Sequence, residues 1–209
     1  MPKVLISDAL SNLANEIFEK NNIEVDTITD LSPEGLKKII ENYDGLVVRS
    51  ATKATDEIIS AAKKLKIIGR AGAGVDNIDL ISAKKNNVIV MNTPGGNTNA
   101  TAEHTLSLLM SLYRNIPEAN FGTHKGLWEK KKFKGLELKG KKIGIIGFGN
   151  VGVRLSELAI ALGMSVSIFS KSFSSRKIDY PNINSVSFDD LISESDIISF
   201  HCKPPSDGM

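Results

Sequence analysis

The segment that most restricts the fold is Gly147-Phe148-Gly149-Asn150-Val151-Gly152. It lies between the apolar run Ile143 to Ile146 and a stretch in which Val151, Leu155, Leu158 and Leu162 recur at helical spacing. A lone G-x-G-x-x-G says little, but one that closes a strand and opens a helix predicts a βαβ unit whose turn accepts an anion. The three glycines serve different ends. Gly147 permits the tight turn, Gly149 lets the backbone approach a pyrophosphate, and Gly152 lets the helix pack close to the strand. The alternative is a glycine-rich turn that holds nothing.

The rest of the chain alternates in the same way. Short β-branched runs stand at Val4 to Ile6, Glu24 to Thr27, Gly45 to Val48, Lys66 to Ile68 and Val88 to Met91. Between them Leu13, Ile17 and Phe18, then Leu36, Ile39 and Ile40, then Ile58, Ile59 and Ala62 mark amphipathic helices. Ser32-Pro33 reads as an N-cap and first helical residue, and Thr55 as a second cap. Repeated strand, helix, strand predicts a parallel sheet covered on both faces, here a small flavodoxin-like unit over residues 1–97. Thr93-Pro94-Gly95-Gly96-Asn97 is the boundary. A long helix from Thr101 to Arg114, expected to bridge two domains, and a more polar helix follow. A second α/β unit then begins at Lys142, with strands at 143–146, 166–169 and 197–200 and helices at 151–162 and 189–193. A doubly wound dinucleotide-binding domain has about six strands, so the sheet in residues 98–209 is expected to be incomplete.

Composition narrows the partners. With 26 basic and 24 acidic residues among 209, the net charge of +2 argues against nucleic acid or an anionic membrane surface and leaves small molecules. A single cysteine, Cys202, excludes an internal disulfide, and no run of 18 apolar residues is present, so the reading is cytoplasmic. Lys130-Lys131-Lys132 reads as solvated surface rather than a phosphate site, because flanking glutamates and Phe133 break up the charge.

One expected feature is missing. An NAD-binding unit of this type has an acid at the end of its second strand, to accept hydrogen bonds from the ribose. Here no Asp or Glu occurs between Glu157 and Asp179, and the strand ends in Ser170-Lys171-Ser172, followed by Ser174, Ser175 and Arg176. Hydroxyls and cations suit a 2′-phosphate. The other reading is a polar surface loop, with the ribose held from elsewhere.

These residues resemble the D-2-hydroxyacid dehydrogenase family, most closely its branch acting on D-3-phosphoglycerate. The matching segments are Val47-Val48-Arg49-Ser50-Ala51-Thr52, Gly69 to Asp79 (GRAGAGVDNID), Met91-Asn92-Thr93-Pro94, Asn97, and Ala102-Glu103-His104-Thr105. Further matches are Gly126 with Trp128, Glu137-Leu138 with Gly140-Lys141, and the glycine fingerprint. The resemblance implies a flavodoxin-like substrate domain followed by part of a Rossmann domain, with the active site in the cleft between them. It implies NAD or NADP as cofactor and a phosphorylated 2-hydroxy acid as substrate, oxidised to the 2-keto acid in serine biosynthesis. A homodimer or larger assembly is also implied.

Residue by residue, the resemblance puts Arg49, with Ser50, at the substrate's phosphate. The backbone of Gly72, Ala73 and Gly74 would face its carboxylate and the nicotinamide, and Asn97 would lie near the substrate. Asn150 and Val151 would touch the pyrophosphate, Ser170 with Lys171 would stand where the ribose-binding aspartate usually does, and Cys202 would line the adenine side. Arg49 has its own physical rationale, since it directly follows an apolar strand and a guanidinium there can grip a phosphate or carboxylate by two hydrogen bonds. The plainer reading is a surface arginine paired with an acid such as Asp76. Arg70 is read as either a site residue or a structural ion-pair partner.

The family's catalytic arginine, glutamate and histidine have no counterpart among these 209 residues. His104, His124 and His201 each lack an acid at a suitable spacing and read as structural. No catalytic residue and no metal ligand is therefore expected, and the chain alone is expected to be inactive, as the N-terminal portion of a longer enzyme. Two alternatives stay open: a glyoxylate or hydroxypyruvate reductase of the same fold, or a non-catalytic binding protein.

Overall fold

The computed structural model describes residues 1–171, 173 and 182–203. They fall into two compact units, Met1–Asn97 and Thr98–Met209. Unit 1 runs β1 (Lys3–Ile6), α1 (Leu13–Lys20), β2 (Glu24–Thr27), α2 (Pro33–Ile39), β3 (Gly45–Val48), α3 (Asp56–Ala61), β4 (Ile67–Arg70), α4 (Leu80–Lys85) and β5 (Ile89–Asn92). Its parallel five-stranded sheet has the order β2-β1-β3-β4-β5, the doubly wound order with its switch between β1 and β3.

Capping explains several helix starts. Ser32 Oγ accepts from Gly35 N–H at 3.0 Å with Pro33 at the first helical position, as the sequence predicts. Thr55, expected to cap α3, makes no such bond; instead Asp56 accepts from Ser82 Oγ at 2.7 Å and ties α3 to α4. Helix α4 is an addition to the elements expected from periodicity. Asp79 caps it by accepting from Ile81 and Ser82 N–H.

The sheet is not covered equally on both faces. Crossovers from β2 to β3, β3 to β4 and β4 to β5 all advance in one direction, so right-handedness puts α2, α3 and α4 on a single face. Leu36, Ile58, Ile59 and Ala83 there pack against Leu5, Leu46, Val48 and Ile68. The crossover from β1 to β2 goes the other way and leaves α1 as the one helix of this unit on the opposite face. No residue of α1 is buried, Leu13 and Ile17 being 56% and 51% exposed, and Ile89 and Met91 on β5 are 62% and 56% exposed.

Unit 2 begins with α5 (Thr98–Arg114) and α6 (Ile116–His124), followed by β6 (Lys142–Ile146), α7 (Asn150–Ala161), β7 (Ser165–Phe169), β8 (Ile183–Ser185), α8 (Phe188–Glu194) and β9 (Ile197–Phe200). The strand β8 is an addition to the expected set. The parallel order β8-β7-β6-β9 is the first part of the Rossmann order. Ile143, Ile145, Val166 and Ile168 pack with Leu155 and Ala159 of α7 and with Ala102 and Leu109 of α5. On strand β6 a Cβ at Gly144 would sit 2.5 Å from both Leu191 Cδ2 and Ser195 Oγ, so glycine there lets α8 approach. Among the described residues no helix is long and apolar enough to cross a membrane.

Candidate functional site

In unit 1 the carboxyl ends of β1, β2 and β3 enclose a cavity of about 350 Å³, at the topological switch where such sheets take ligands. Arg49 and Ser50 form part of its wall, together with Ser7, Asp8 and Thr29. Asp8 organises the loop. Its buried carboxylate accepts from the Arg49 N–H, from Thr52 N–H at 3.1 Å and from Thr52 Oγ1 at 2.7 Å. Burial by itself raises the Asp8 carboxyl, but the Thr52 hydroxyl and the Arg49, Thr52 and Ala51 amides outweigh it and hold the group below its usual range.

The same loop is held by its carbonyls. Asn77 Nδ2 donates to Arg49 C=O at 2.8 Å and to Thr52 C=O at 2.6 Å, and Arg70 Nε donates to Arg49 C=O at 3.0 Å. Arg70 also pairs with Asp76 at 3.3 Å. Asp76 is therefore engaged by Arg70, while the exposed Arg49 guanidinium makes a single bond, to Ala9 C=O at 3.2 Å. Its remaining donors meet no protein partner among the described residues.

The loop after β4 lies beside the loop after β3, because Val48 and Arg70 are register partners. Asn92 Nδ2 donates to Ala73 C=O at 2.7 Å and Thr93 N–H to Gly72 C=O at 3.0 Å, which fixes this turn. Gly72 N–H closes onto Arg70 C=O, whereas the Ala73 and Gly74 amides meet no partner among the described residues. A Cβ at Gly74 would sit 2.8 Å from Asp76 Oδ1 and 2.9 Å from Arg70 Nη1, so glycine there preserves the ion pair. Asn97 is exposed ahead of α5 and makes no hydrogen bond to either loop among the described residues.

In unit 2 the fingerprint connects β6 to α7. Gly147 has φ of +96°, a conformation that L side chains rarely adopt, and a Cβ there would also press on the His201 carbonyl at 2.6 Å. A Cβ at Gly152 would collide with the Gly147 carbonyl. Gly149 differs: no atom lies within 4 Å of where its Cβ would be, and it stands at the N-cap of α7 with Asn150 and Val151 in the first turn. This open cradle, bounded by the amides of a helix start, fits a pyrophosphate. Phe148, 1% exposed and edge-on to Phe173 with centroids 5.4 Å apart, anchors the turn from below.

A cavity of about 610 Å³ adjoins the cradle, between the carboxyl ends of β7, β6 and β9. Ser170 and Lys171 line it on the β7 side, and Cys202 and Lys203 on the β9 side. Ser172, Ser174, Ser175 and Arg176, expected to continue this polar edge, lie outside the described residues. His201 sits in the same wall; burial pushes it down, and its Nε2 meets Ser199 Oγ at 2.9 Å. No carboxylate bonds to His104, His124 or His201 among the described residues, nor do these hold a group of His, Cys, Asp and Glu able to bind a metal.

Arg49, the Gly72 to Gly74 turn and the fingerprint are all legible in the sequence. Asp8, Thr52, Asn77 and Asn92, which hold the first two, are not singled out by it, and neither is Lys203. Thr52, Asn77 and Asn92 lie inside segments that carry the family resemblance, but nothing local gives them a role, and Asp8 and Lys203 lie outside those segments; only the fold brings the supports together.

The sequence profile of "D-isomer specific 2-hydroxyacid dehydrogenase, catalytic domain" matches residues 4–194. A D-3-phosphoglycerate dehydrogenase from Archaeoglobus fulgidus is 43% identical over 199 residues, which are 95% of this chain and 38% of that protein. The chain thus spans well under half the length of this relative. Among solved structures, the NAD⁺-bound 3-phosphoglycerate dehydrogenase of Entamoeba histolytica is 34% identical with a TM-score of 0.77, covering 99% of this chain and 64% of that one. An acyclic imino acid reductase in complex with NADPH and D-Arg is 30% identical with a TM-score of 0.83, covering 98% and 66%. The α/β order, the glycine cradle and these matches agree, and the chain belongs to the D-isomer specific 2-hydroxyacid dehydrogenase family.

Proposed function

We propose that the chain supplies the substrate unit and the pyrophosphate-binding part of an NAD(P)-dependent dehydrogenase that oxidises D-3-phosphoglycerate to 3-phosphohydroxypyruvate in the cytoplasm. The observation that carries this reading is Arg49: an exposed guanidinium at the carboxyl end of β3, on a loop fixed at both its amides and its carbonyls, with most of its donors uncommitted among the described residues. A planar fork so held can take a phosphate by two charge-assisted bonds. Ser50 adds a hydroxyl beside it. The Ala73 and Gly74 amides suit the carboxylate, and Asn97 is assigned to the substrate on the family resemblance alone.

In the nucleotide part, Gly147, Gly149 and Gly152 with the Asn150 and Val151 amides would hold the pyrophosphate, while Ser170, Lys171 and Cys202 would border the adenosine. The bound nicotinamide supplies the hydride acceptor. The described residues hold no acid–base pair, so this chain is expected to bind without turnover. The missing acid at β7 keeps a second substrate reading open, reduction of glyoxylate or hydroxypyruvate. For assembly, we place contact between copies on α5 and α6, where Leu112 is 74% and Phe121 63% exposed, with Trp128 nearby in sequence at 85%.

Calorimetric titration of the chain with 3-phosphoglycerate and with glycerate tests the assignment. Arg49→Ala should weaken the phosphorylated ligand by about 1.5 to 3 kcal/mol and the other much less. An equal loss for both ligands would assign Arg49 to the common carboxylate and overturn the phosphate reading.

A further inference from the structure

We infer that Asn77 is a positioning residue that sets the span between the two loops holding the ends of the substrate, so that the chain selects its 2-hydroxy acid by length. The inference deepens the substrate reading above and rests on it. In that reading the phosphate lies at Arg49, after β3, and the carboxylate at the Ala73 and Gly74 amides, after β4. The two loops leave the sheet side by side, with Ala71 N–H on Val48 C=O at 2.8 Å as the last rung of the ladder. Backbone pairing resumes at Ala54, whose N–H donates to Asn77 C=O at 2.9 Å and whose C=O accepts from Asp79 N–H at 2.9 Å. Between those points the bonds that join the two loops, among the described residues, come from side chains.

Asn77 is the side chain placed to set that separation. Its Nδ2 donates to Arg49 C=O at 2.8 Å and to Thr52 C=O at 2.6 Å, so one nitrogen holds both ends of the turn that carries the guanidinium. Both partners are carbonyls, which fixes the orientation of the carboxamide. On its own loop Asn77 follows Gly74 by three residues, and Ile78 N–H donating to Val75 C=O at 3.1 Å tightens the stretch between. Arg70 Nε bonds the same Arg49 carbonyl from the start of that loop. The Arg49 turn is therefore held at a fixed distance from the Ala73 and Gly74 amides. A flexible pair of loops would follow a ligand of any length, whereas a braced pair favours the ligand whose charged ends match its span. One carbon more or fewer shifts those ends by about 1 Å or more, a misplacement on the scale that costs heavily in a preorganised site.

The test is calorimetric titration of the chain with three ligands that carry a carboxylate and a terminal phosphate on successively longer carbon chains: phosphoglycolate, 3-phosphoglycerate and 4-phosphoerythronate. We expect the unaltered chain to prefer 3-phosphoglycerate to each of the others by about tenfold or more. Asn77→Ala should weaken 3-phosphoglycerate about tenfold and the other two much less, so that the preference narrows. Ile40→Val, in the fully buried core of the unit, should lower the unfolding midpoint and leave the preference as it is. If Asn77→Ala does not fold, Asn77→Ser, whose hydroxyl can donate to only one of the two carbonyls, should narrow the preference in the same direction by a smaller factor. Equal losses for all three ligands in the folded variant, or no preference by length in the unaltered chain, overturns the inference and leaves the substrate reading standing. Binding of none of the three removes both.

Discussion

In unit 1 the loop that carries Arg49 is held by side chains from distant parts of the chain: Asp8 takes its amides, and Asn77 and Arg70 its carbonyls. In unit 2 the loop from Gly147 to Gly152 is held by what it lacks, since a Cβ at either end would strike backbone. The first loop is a side-chain construction that aims one guanidinium. The second is a backbone construction that clears space for an anion and offers it helix-start amides. A mutation should therefore act differently in each: through lost hydrogen bonds in unit 1, through added atoms in unit 2.

The largest effect is expected at Asp8. Asp8→Ala leaves the Arg49 and Thr52 amides and the Thr52 hydroxyl without their acceptor, and such losses cost about 1 to 3 kcal/mol each before relaxation, so about 3 kcal/mol in all is expected. Denaturant unfolding of the chain measures it. Arg49→Ala, which among the described residues gives up the bond to Ala9, should cost under about 0.5 kcal/mol. If the two variants lose similar stability, the loop is not held from Asp8 and the contrast between the units fails.

Gly152 and Gly149 sharpen the comparison within unit 2. Gly152→Val should cost about 2 kcal/mol, because its side chain meets the Gly147 carbonyl and α7 must move. The Cβ of Gly149→Val meets nothing within 4 Å, so the cost should be about 1 kcal/mol, that of a poorer N-cap residue, yet the side chain fills the cradle and should abolish dinucleotide binding. Paired unfolding and titration separate the two outcomes. Retained NAD(P) binding in Gly149→Val would place the pyrophosphate elsewhere. A similar loss, about 1 kcal/mol, is expected for Gly74→Ala, whose Cβ intrudes between Arg70 and Asp76.

The contrast also explains what the sequence could reveal. A backbone site is written in consecutive residues, so Gly147 to Gly152 with its flanking periodicities is visible as a motif. Strand alternation likewise exposes the parallel sheets, because β-branched runs and amphipathic spacing are local. The supports of the Arg49 loop are scattered from Asp8 to Asn77, and no spacing rule links them. Asp79 is readable as a cap for α4, but it closes a segment whose glycines and charges point to a site rather than to a helix start. The sparse cover of one face of the first sheet is hidden for another reason: Ile89 and Met91 on β5, like Leu13 and Ile17 on α1, have the apolar pattern of covered residues, and only the direction of the crossovers shows that this unit lays a single helix, α1, on that face.

The smallest effect expected is a pH dependence that belongs to one loop and not the other. The Asp8 carboxyl is held below its usual value in the folded chain, against about 3.9 when unfolded. For a depressed acid the stabilisation is fully present above the unfolded value and is lost as pH falls through the folded one. Asp26, Asp44, Asp56 and Asp196 are depressed as well, so total stability in acid cannot isolate Asp8. The difference between the unaltered chain and Asp8→Asn can. Asparagine keeps one acceptor oxygen but brings donors toward a loop that already supplies donors, so the gap should be steady from about pH 5 to 8 and narrow as pH falls below about 4. Gly152→Val carries no titrating group and should show a gap that does not change over the same range. A gap for Asp8→Asn that stays constant into acid would mean that the neutral carboxyl serves the Arg49 loop as well as the charged one, and that hydrogen-bond geometry rather than charge holds it.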